Sequence, residues 1–331
     1  MTRNMYLGTD LAPLIGAQTP EGFVAAAAAG YGQVLASNVP ERAAGLAKEI
    51  KQTRPDVVSL QEVYLWRTGP VLDPGPATHV TVDALASLQA ALTAEGLRYT
   101  PAVVQENADL EAPVPVPGIY ADVRLTDRDV ILVRADLPSS MLSVSNPQKG
   151  QYPVILKFTS GVLGEVSIGR GWVSVDITRS GHTARVINTH LESYAPAIPA
   201  TALIQRAQGA ELLTRVIGAT HSPVILSGDF NSGPSKPGAI DDPPIDAFND
   251  ILAAGFVDTW SDTRPVLPGY TWPINKGDSR TAAVPDQRID HVFVRGAVRP
   301  LVDVRTGVSK TPSGLFVSDH LGLVAYTWLH N

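Results

Sequence analysis

The 331-residue chain contains no cysteine, which excludes disulfides, thiolate zinc sites and a cysteine nucleophile and leaves the compartment undecided. No apolar run approaches the roughly 18 residues of a membrane-spanning helix, and no basic-then-apolar leader is visible. Positive charge is scarce, since 26 Lys and Arg stand against 32 Asp and Glu for a net charge of −6. No Lys/Arg-rich run compensates locally, so the electrostatic footprint of a nucleic-acid binder is missing from the sequence. A bound metal ion can still supply positive charge. Three catalytic signatures are absent as well: the Gly-x-Ser-x-Gly elbow, the His-Glu-x-x-His helix and the glycine-rich phosphate loop ending in Gly-Lys-Ser/Thr. Serine-hydrolase, zincin and nucleoside-triphosphatase readings therefore lack their motif.

What is present suffices for a sizeable core, at 44% hydrophobic and 18% charged. The stretch around which the chain is organised runs from Ser227 to Ser232, after the apolar run Val224, Ile225 and Leu226. An apolar strand that ends in Gly228 delivers Asp229 and Asn231 to its C-terminal rim, on one face by alternation. Read alone, the same residues also suit a turn in which Asp and Asn side chains bond their own backbone.

Around that pivot, Met1 to Leu14 reads as a short strand and a loop, and Ala25 to Ala29 is compatible with a helix. Ala43, Leu46, Ala47 and Ile50 form the stripe of a helix from Glu41 to Thr53, which Arg54 and Pro55 stop. Asp56 to Glu62 reads as a buried strand with Val58, Leu60 and Glu62 on one face; a carboxylate there is costly unless paired or bound to a cation. Residues 67–82 read as a loop, Asp83 to Glu95 as a helix, and Tyr99 to Gly118 as a Pro-rich connection. Strands follow at 129–134, 154–158, 172–177 and 184–191, as an antiparallel meander. Ala202 to Ile217 and Ile245 to Ala254 read as helices, Gly255 to Arg280 as a loop, and Arg288 to Arg295 and Val317 to Trp328 as closing strands. One domain of two stacked sheets with flanking helices uses every element.

Alternation places Asn188 and His190 on one face of their strand, although a lone His at a strand end is commonly a hydrogen-bonded structural residue. It likewise pairs Arg288 with Asp290 and sends His291 to the other side. Asp319 and His320 sit in a turn and serve different jobs. Only three residues precede Asn4, too few for the strand it should stand on. The native chain is therefore expected to carry an upstream segment, for instance a secretion signal, with an extracytoplasmic location if it does and a cytoplasmic one otherwise.

Asn4, Gln61 with Glu62, Asn188 to His190, Gly228 to Asn231, Arg288 to Asp290 and Ser318 to His320 resemble, in order and type, the motifs of the endonuclease/exonuclease/phosphatase superfamily. That group includes DNase I-like nucleases, abasic-site endonucleases, neutral sphingomyelinases and inositol-polyphosphate 5-phosphatases. The resemblance runs from Asn4 to Leu323, with a loop-rich variable section at 99–168. It implies a DNase I-like α/β fold, a four-layer sandwich of two packed mixed sheets flanked by helices, in a single domain spanning 1–331. One departure concerns Tyr6, which stands where abasic-site endonucleases carry an Asp; Asp10 is close but out of register.

The resemblance further implies hydrolysis of a phosphate ester by in-line attack of water. Glu62, Asn4 and Asp319 would hold Mg2+, with Mn2+ or Ca2+ as alternatives, an ion that takes oxygen ligands and few carboxylates. His320 becomes general base or electrostatic partner, oriented by Asp290. Asp229 aligns the water, Asn231 and His190 bind the scissile phosphate, Asn188 supports them, and Arg170 is either a further phosphate contact or a solvated surface residue. A monomeric nuclease-like phosphodiesterase acting on nucleic acid is expected. The alternatives are a sphingomyelinase-like phosphodiesterase acting on a phospholipid headgroup, for which Trp66, Trp260, Tyr270 and Trp272 are candidate contacts or plain core, and a non-catalytic binding protein on the same scaffold.

Overall fold

The structure is a computed structural model that describes residues 1–330 except 72, 117–118, 161–162, 197, 221, 238–245 and 278. It opens on strand β1 (Thr2–Asn4) and helices α1 (Ala12–Ile15), α2 (Pro20–Ala36) and α3 (Val39–Thr53). Helix α3 starts before Glu41 because Pro40 lies in its first turn, where a missing N–H costs nothing. Strand β2 (Val57–Gln61) then leads into β3 (Leu65–Pro70), β4 (His79–Asp83) and helix α4 (Ala84–Ala94). The Asp83 carboxylate caps α4 by accepting from the N–H groups of Leu85 and Ala86.

The stretch expected as a loop at 67–82 thus contains most of β3 and β4, because β3 finds a partner in β6 from Leu65↔Thr126 to Pro70↔Ala121. A larger correction concerns Tyr99 to Gly118. Gly118 lies outside the described residues, and what precedes it is strand β5 (Tyr99–Val116), paired along its length with β6 (Ile119–Arg134). Pro101, Pro113 and Pro115 are tolerated there because β5 pairs with β6 alone among the described residues, and an edge strand does not need every N–H.

Next come β7 (Leu142–Gln151), unforeseen, then β8 (Leu156–Ser160), β9 (Gly164–Ile168), β10 (Gly171–Arg179) and β11 (His182–His190). The expected meander is broken: β8 and β9 form their own two-stranded sheet, while β7, β10 and β11 are antiparallel neighbours. Helix α5 (Ala200–Glu211) continues as a π-helical turn, Leu212–Ile217, toward β12 (Val224–Asp229). The helix expected from Ile245 is α6 (Ala247–Ala253), Ile245 itself lying outside the described residues. The chain closes with β13 (Val257–Asp258), α7 (Thr259–Thr263), β14 (Asp290–Arg295), β15 (Val298–Thr306) and β16 (Gly322–Leu329).

Among the described residues one sheet has the order β15-β16-β1-β2-β6-β3-β4 with β5 beside β6, and the other β13-β14-β12-β11-β10-β7. Both are mixed, since β1 with β2 and β11 with β12 are parallel. Side-chain alternation along β6 shows the layering: Val130 and Leu132 pack with Leu46, Ile50 and Leu88 of the helices, while Ile131 and Val133 pack with Val173, Val175 and Val186 of the second sheet. On the far side Leu226 and Phe293 pack with Leu212, Phe248 and Ile251. The order is helices, sheet, sheet, helices, and each fully buried aliphatic side chain in it contributes about 1.5–3 kcal/mol. In register, β11 and β12 end together at His190↔Asp229, and Asp229 faces Asp290 across the antiparallel pair β12 and β14. Three strand ends therefore deliver three polar side chains to one rim.

Candidate active site

His190, Asp229 and Asp290 are 1%, 1% and 0% exposed. Directly paired residues on neighbouring strands point to the same side, so the three form a row. Gly228 makes the close approach of β12 to β11 possible, since a Cβ on it would lie 2.1 Å from the Thr189 carbonyl oxygen. Strand β12 stops at Asp229, and Asn231 enters the site from a left-handed backbone with φ 49°. Its N–H donates to Asp229 Oδ1 at 3.0 Å, and its amide donates to the Leu191 carbonyl and stands 3.2 Å from His190 Nε2. The turn and the site are made of the same residues. Asn231 is brought in by that turn and not by strand alternation with Asp229, as the sequence alone suggests.

Asn4 and Glu62 reach the rim from the first sheet. Alternation in β2 would have sent Glu62 with Val58 and Leu60 into the helix-facing core. A φ of 54° at Glu62 ends the strand and swings the carboxylate over the rim instead. Tyr6, at φ 62°, is a third non-glycine residue in this region, each such residue costing about 1 kcal/mol or more. The strain is held by hydrogen bonds: the Asn4 amide donates to Glu62 Oε1 and to Asp229 Oδ2, both at 3.0 Å. Tyr6 N–H donates to Asn4 Oδ1 at 2.8 Å, and Leu7 N–H to Glu62 Oε2 at 2.8 Å. Asn4 thus presents its NH2, not its oxygen, to the two carboxylates. Burial, with the nearby Asp319 charge, pushes Glu62 up to about 7.

The turn carrying His320 is tied to the start of the chain. Arg3, buried, donates to the His320 carbonyl and pairs with Glu49 of α3 at 3.1 Å. His320 Nδ1 lies 2.8 Å from Asp290 Oδ2, and its Nε2 is 3.8 Å from Asp229 Oδ2 and 4.0 Å from Asp319 Oδ1. Burial disfavours the imidazolium, yet Asp290, Asp229 and Asp319 together outweigh it and hold His320 up to about 10. Asp229 is pushed up to about 6, mainly by burial and by Asp290. At neutral pH the ring is a cation and Asp229 is ionised. Ligand atoms of Asp229, Asp290 and His320 all lie within 4.8 Å of one another.

The sequence profile of the endonuclease/exonuclease/phosphatase family matches residues 28–320. The chain belongs to that family. Among solved structures, an endonuclease/exonuclease/phosphatase from Beutenbergia cavernae DSM 12333 is 23% identical with a TM-score of 0.57, over 87% of this chain and 66% of that one. A family protein from Leptotrichia buccalis C-1013-b is 17% identical with a TM-score of 0.56, over 88% of this chain and 94% of that one. D. rerio TDP2 complexed with a single-strand DNA product is 22% identical with a TM-score of 0.50, over 88% of this chain and 92% of that one. At these identities the likeness is one of fold. No curated protein matches the chain.

In this family member Arg170 is no solvated surface residue, since its side chain is 13% exposed. Its Nη1 stands 3.0 Å from His190 Nδ1, its Nη2 donates to Glu192 Oε1 at 3.3 Å, and Asp127 lies 3.9 Å away. Burial and the Arg170 charge keep His190 well below its usual value and hence neutral. Asp127, Asp129 and Glu192 are buried around this group, and burial beside Asp127 raises Asp129 well above the carboxylate range. The sequence reading missed all three. Asp127 and Asp129 stand at the start of the apolar run Val130 to Val133, as Glu62 stands at the end of its own.

Asn188 lies elsewhere than expected. Fully buried between the sheets, it donates to the carbonyls of Leu60 and Val130 at 2.9 and 3.1 Å and accepts from Gln61 at 2.6 Å. Both its amide hydrogens are spent on bracing β11 to β2 and β6. His291 faces away as expected, packed between Phe248 and Phe293 with Nε2 3.0 Å from the Ser232 carbonyl oxygen. Arg288 goes with it rather than with Asp290, bonding Asp258 at 2.6 Å, because β14 begins only at Asp290 and alternation does not extend to 288. Asp10 is exposed and caps Ala12. Trp66 and Trp260 are core residues at 6% and 5% exposure. Tyr270 is half-buried. Trp272 is also half-buried and flanks the site, with its ring centroid 6.4 Å from that of His320.

Proposed function

We propose that this protein is a Mg2+-dependent phosphodiesterase whose substrate is nucleic acid. The observation that carries the reading is the line Asp290–His320–Asp229, an imidazolium held between two carboxylates, with Asn4 and Glu62 closing the opposite side of the same rim. Oxygen donors fit a hard divalent cation. Glu62 is destabilised as an anion by burial and by Asp319, a repulsion that a cation between them would relieve. Glu62 and Asp319 would hold it, with Asn4 orienting Glu62. When bound, the cation supplies positive charge to the phosphoryl and leaving-group oxygens.

The chain's own groups do the rest. Asp229, ionised at neutral pH and fixed by Asn4 and by the Asn231 N–H, aligns the attacking water and takes its proton. His320, charged, offsets negative charge as the phosphorus gains its fifth oxygen. This assigns His320 the electrostatic role and not that of base. His190 has donors on both ring nitrogens, from Arg170 and from Asn231, while a neutral imidazole accepts only one. One donor is therefore free to turn to a phosphate oxygen. Trp272 offers a face on which a base can stack, a contact worth about 1–3 kcal/mol. D. rerio TDP2 with its single-strand DNA product shows that nucleic acid can be bound on this fold.

A second reading, a phospholipid-headgroup phosphodiesterase, rests on an apolar cavity of about 60 Å3 whose lining includes Leu11, Phe23, Tyr31, Trp66 and Phe158. It lies close to Glu62, since the Leu7 N–H bonds Glu62 and the Leu7 carbonyl accepts from Trp66 Nε1. The deciding experiment offers plasmid DNA, sphingomyelin and a small bis-aryl phosphodiester side by side, with Mg2+ and with EDTA. Chelator-sensitive nicking of DNA is expected. Cleavage of sphingomyelin alone would transfer the assignment to the second reading, and no cleavage of any substrate by folded protein with metal would overturn both.

A further inference from the structure

The inner face of α5 carries two amides where apolar side chains are the rule. Thr201, Ala202, Gln205, Gln208 and Gly209 form the buried stripe of the helix, and Gln205 and Gln208 are both 0% exposed. An interior amide is costly unless its hydrogen-bonding groups are matched. Gln208 is matched at both ends: its Oε1 accepts from the Glu192 N–H at 2.8 Å and its Nε2 donates to the Val154 carbonyl at 3.0 Å. Gln205 is not. Its Nε2 donates to two carbonyls, of Asn231 at 2.7 Å and of Glu192 at 2.9 Å, while its Oε1 is buried with no hydrogen-bond partner among the described residues. An interior acceptor left unpaired calls for a reason beyond stability.

The two carbonyls belong to the exits of β11 and β12. The parallel ladder ends at His190↔Asp229, followed by one more backbone bond, from the Leu191 N–H to the Asp229 carbonyl at 3.0 Å. Past that point Gln205 bridges the two segments. Asn231 is the residue at stake, since its left-handed backbone at φ 49° brings its amide to His190. Its N–H is tied to Asp229 Oδ1 and its side chain to the Leu191 carbonyl. The bond from Gln205 ties down its own carbonyl, so the peptide groups on both sides of Asn231 are held. The helix that supplies this bond is itself closely seated: a Cβ on Gly209, one turn on from Gln205, would lie 2.8 Å from Ala247 Cβ of α6.

We propose that Gln205 is a positioning residue for the reaction assigned above, an inference that rests on that reading: by holding the Asn231 carbonyl it sets the direction in which the Asn231 amide meets the scissile phosphate. Its own hydrogen bonds go to backbone alone, so it acts through Asn231 and not on the substrate. Without it the left-handed peptide of Asn231 relaxes, and the amide leaves its place 3.2 Å from His190 Nε2. Misplacing a phosphate-binding group by about 1 Å costs on the order of 10²-fold in rate. The contact tightens as the phosphorus gains its fifth oxygen, so the loss falls on kcat more than on KM.

The test replaces Gln205 by Met, which keeps the length of the side chain and removes both donors, in the full chain and in a chain already carrying Asn231→Ala. Gln208→Met is the control on the same helix face. With a bis-aryl phosphodiester and Mg2+, Q205M should lower kcat about 10²-fold with KM within a few-fold, and Q208M should lower kcat less than about fivefold. On the N231A background Q205M should cost less than about threefold, because residues that act through one another are not additive. Exchange of the Asn231 backbone amide, followed by NMR without substrate or metal, should quicken at least about tenfold in Q205M and not in Q208M. Near-normal kcat in folded Q205M, equal losses in Q205M and Q208M, or the same loss on both backgrounds would each overturn the proposal. Gln205→Leu repeats the measurements if the Met variant does not fold. A wild type that cleaves no phosphodiester defeats the functional reading instead; amide exchange then decides the positioning role, and unchanged exchange at Asn231 overturns it.

Discussion

Replacing Asp290 by Asn tests the assignment of His320 as a permanent cation. The Asp290 carboxylate lies 2.8 Å from Nδ1, against 3.8 and 4.0 Å from Nε2 for Asp229 and Asp319. At an effective dielectric of about 20 the gross attraction at 2.8 Å is about 6 kcal/mol. The imidazole is held at about 10, roughly 3.5 units above an unperturbed His, or about 5 kcal/mol at 1.36 kcal/mol per unit. Because the three carboxylates also offset the burial penalty, their combined effect exceeds that net rise, and D290N, which removes the nearest of them, lowers His320 by about two units or more, to about 8 or below. The sign follows directly. A raised imidazole pKa keeps the charge at all pH below its folded value, so in the wild type the charge persists until pH approaches 10, while the stability it confers is complete below about pH 6.5 and is lost progressively between there and 10. In D290N the charge is lost as pH rises through about 8. Turnover of a bis-aryl phosphodiester at saturating Mg2+ should therefore be flat in the wild type from pH 7 to 9 and fall over that range in the variant. At pH 7 the variant keeps part of that charge, so its loss of kcat should be smaller there than at pH 9. The Cε1–H NMR titration of His320 reports the pKa itself. A D290N enzyme with near-wild-type kcat and a flat profile to pH 9 would refute the reasoning.

Asn188→Ala should cost stability and not chemistry. It strands the Leu60 and Val130 carbonyls and the Gln61 amide in the interior, at about 1–3 kcal/mol each before relaxation; urea denaturation should show a loss of at least about 2 kcal/mol, with kcat within a few-fold once folded. His291→Ala opens a cavity between Phe248 and Phe293 and should lower the unfolding free energy by about 2–4 kcal/mol while leaving kcat nearly unchanged. A large kcat loss at normal stability would instead place His291 in the site. Asp303 is pushed up to about 6 by burial, so its contribution to stability is complete below about pH 4 and is lost as pH rises through 6. Asp303→Asn removes that ionisation and should stabilise the protein at pH 7 by about 1–2 kcal/mol and hardly at all at pH 4.5. A loss at pH 7, measured by denaturant melts at both pH values, would show that the Thr259 bond to the carboxylate at 2.6 Å outweighs the burial penalty.

Local patterns were enough wherever a residue's role depends on its neighbours along the chain. The apolar stripe of α3, the buried runs of β2 and β12, the helix beginning at Asp83 and the strand-end positions of His190 and Asp229 follow from periodicity and side-chain type, forces that act within a few residues. The same logic separated His291 from Asp290, because adjacent residues in a strand must face opposite ways. It failed where pairing across the chain overrides composition: the prolines of β5 read as a connection, and only β6 alongside makes them a strand. It failed again where the backbone leaves regular geometry. Glu62 and Asn231 reach the site through left-handed residues that alternation cannot foresee, and Asn188, with the right neighbours and spacing, is spent on holding the sheets together. Charge was the least legible of all. That Asp229 and Asp290 lie on adjacent strands with His320 between them, that Arg170 is set beside buried Asp127 and Glu192, and that Asn4 spans two carboxylates are distances between residues remote in sequence, and electrostatic energy depends on those distances and on burial, neither of which exists until the two sheets have closed.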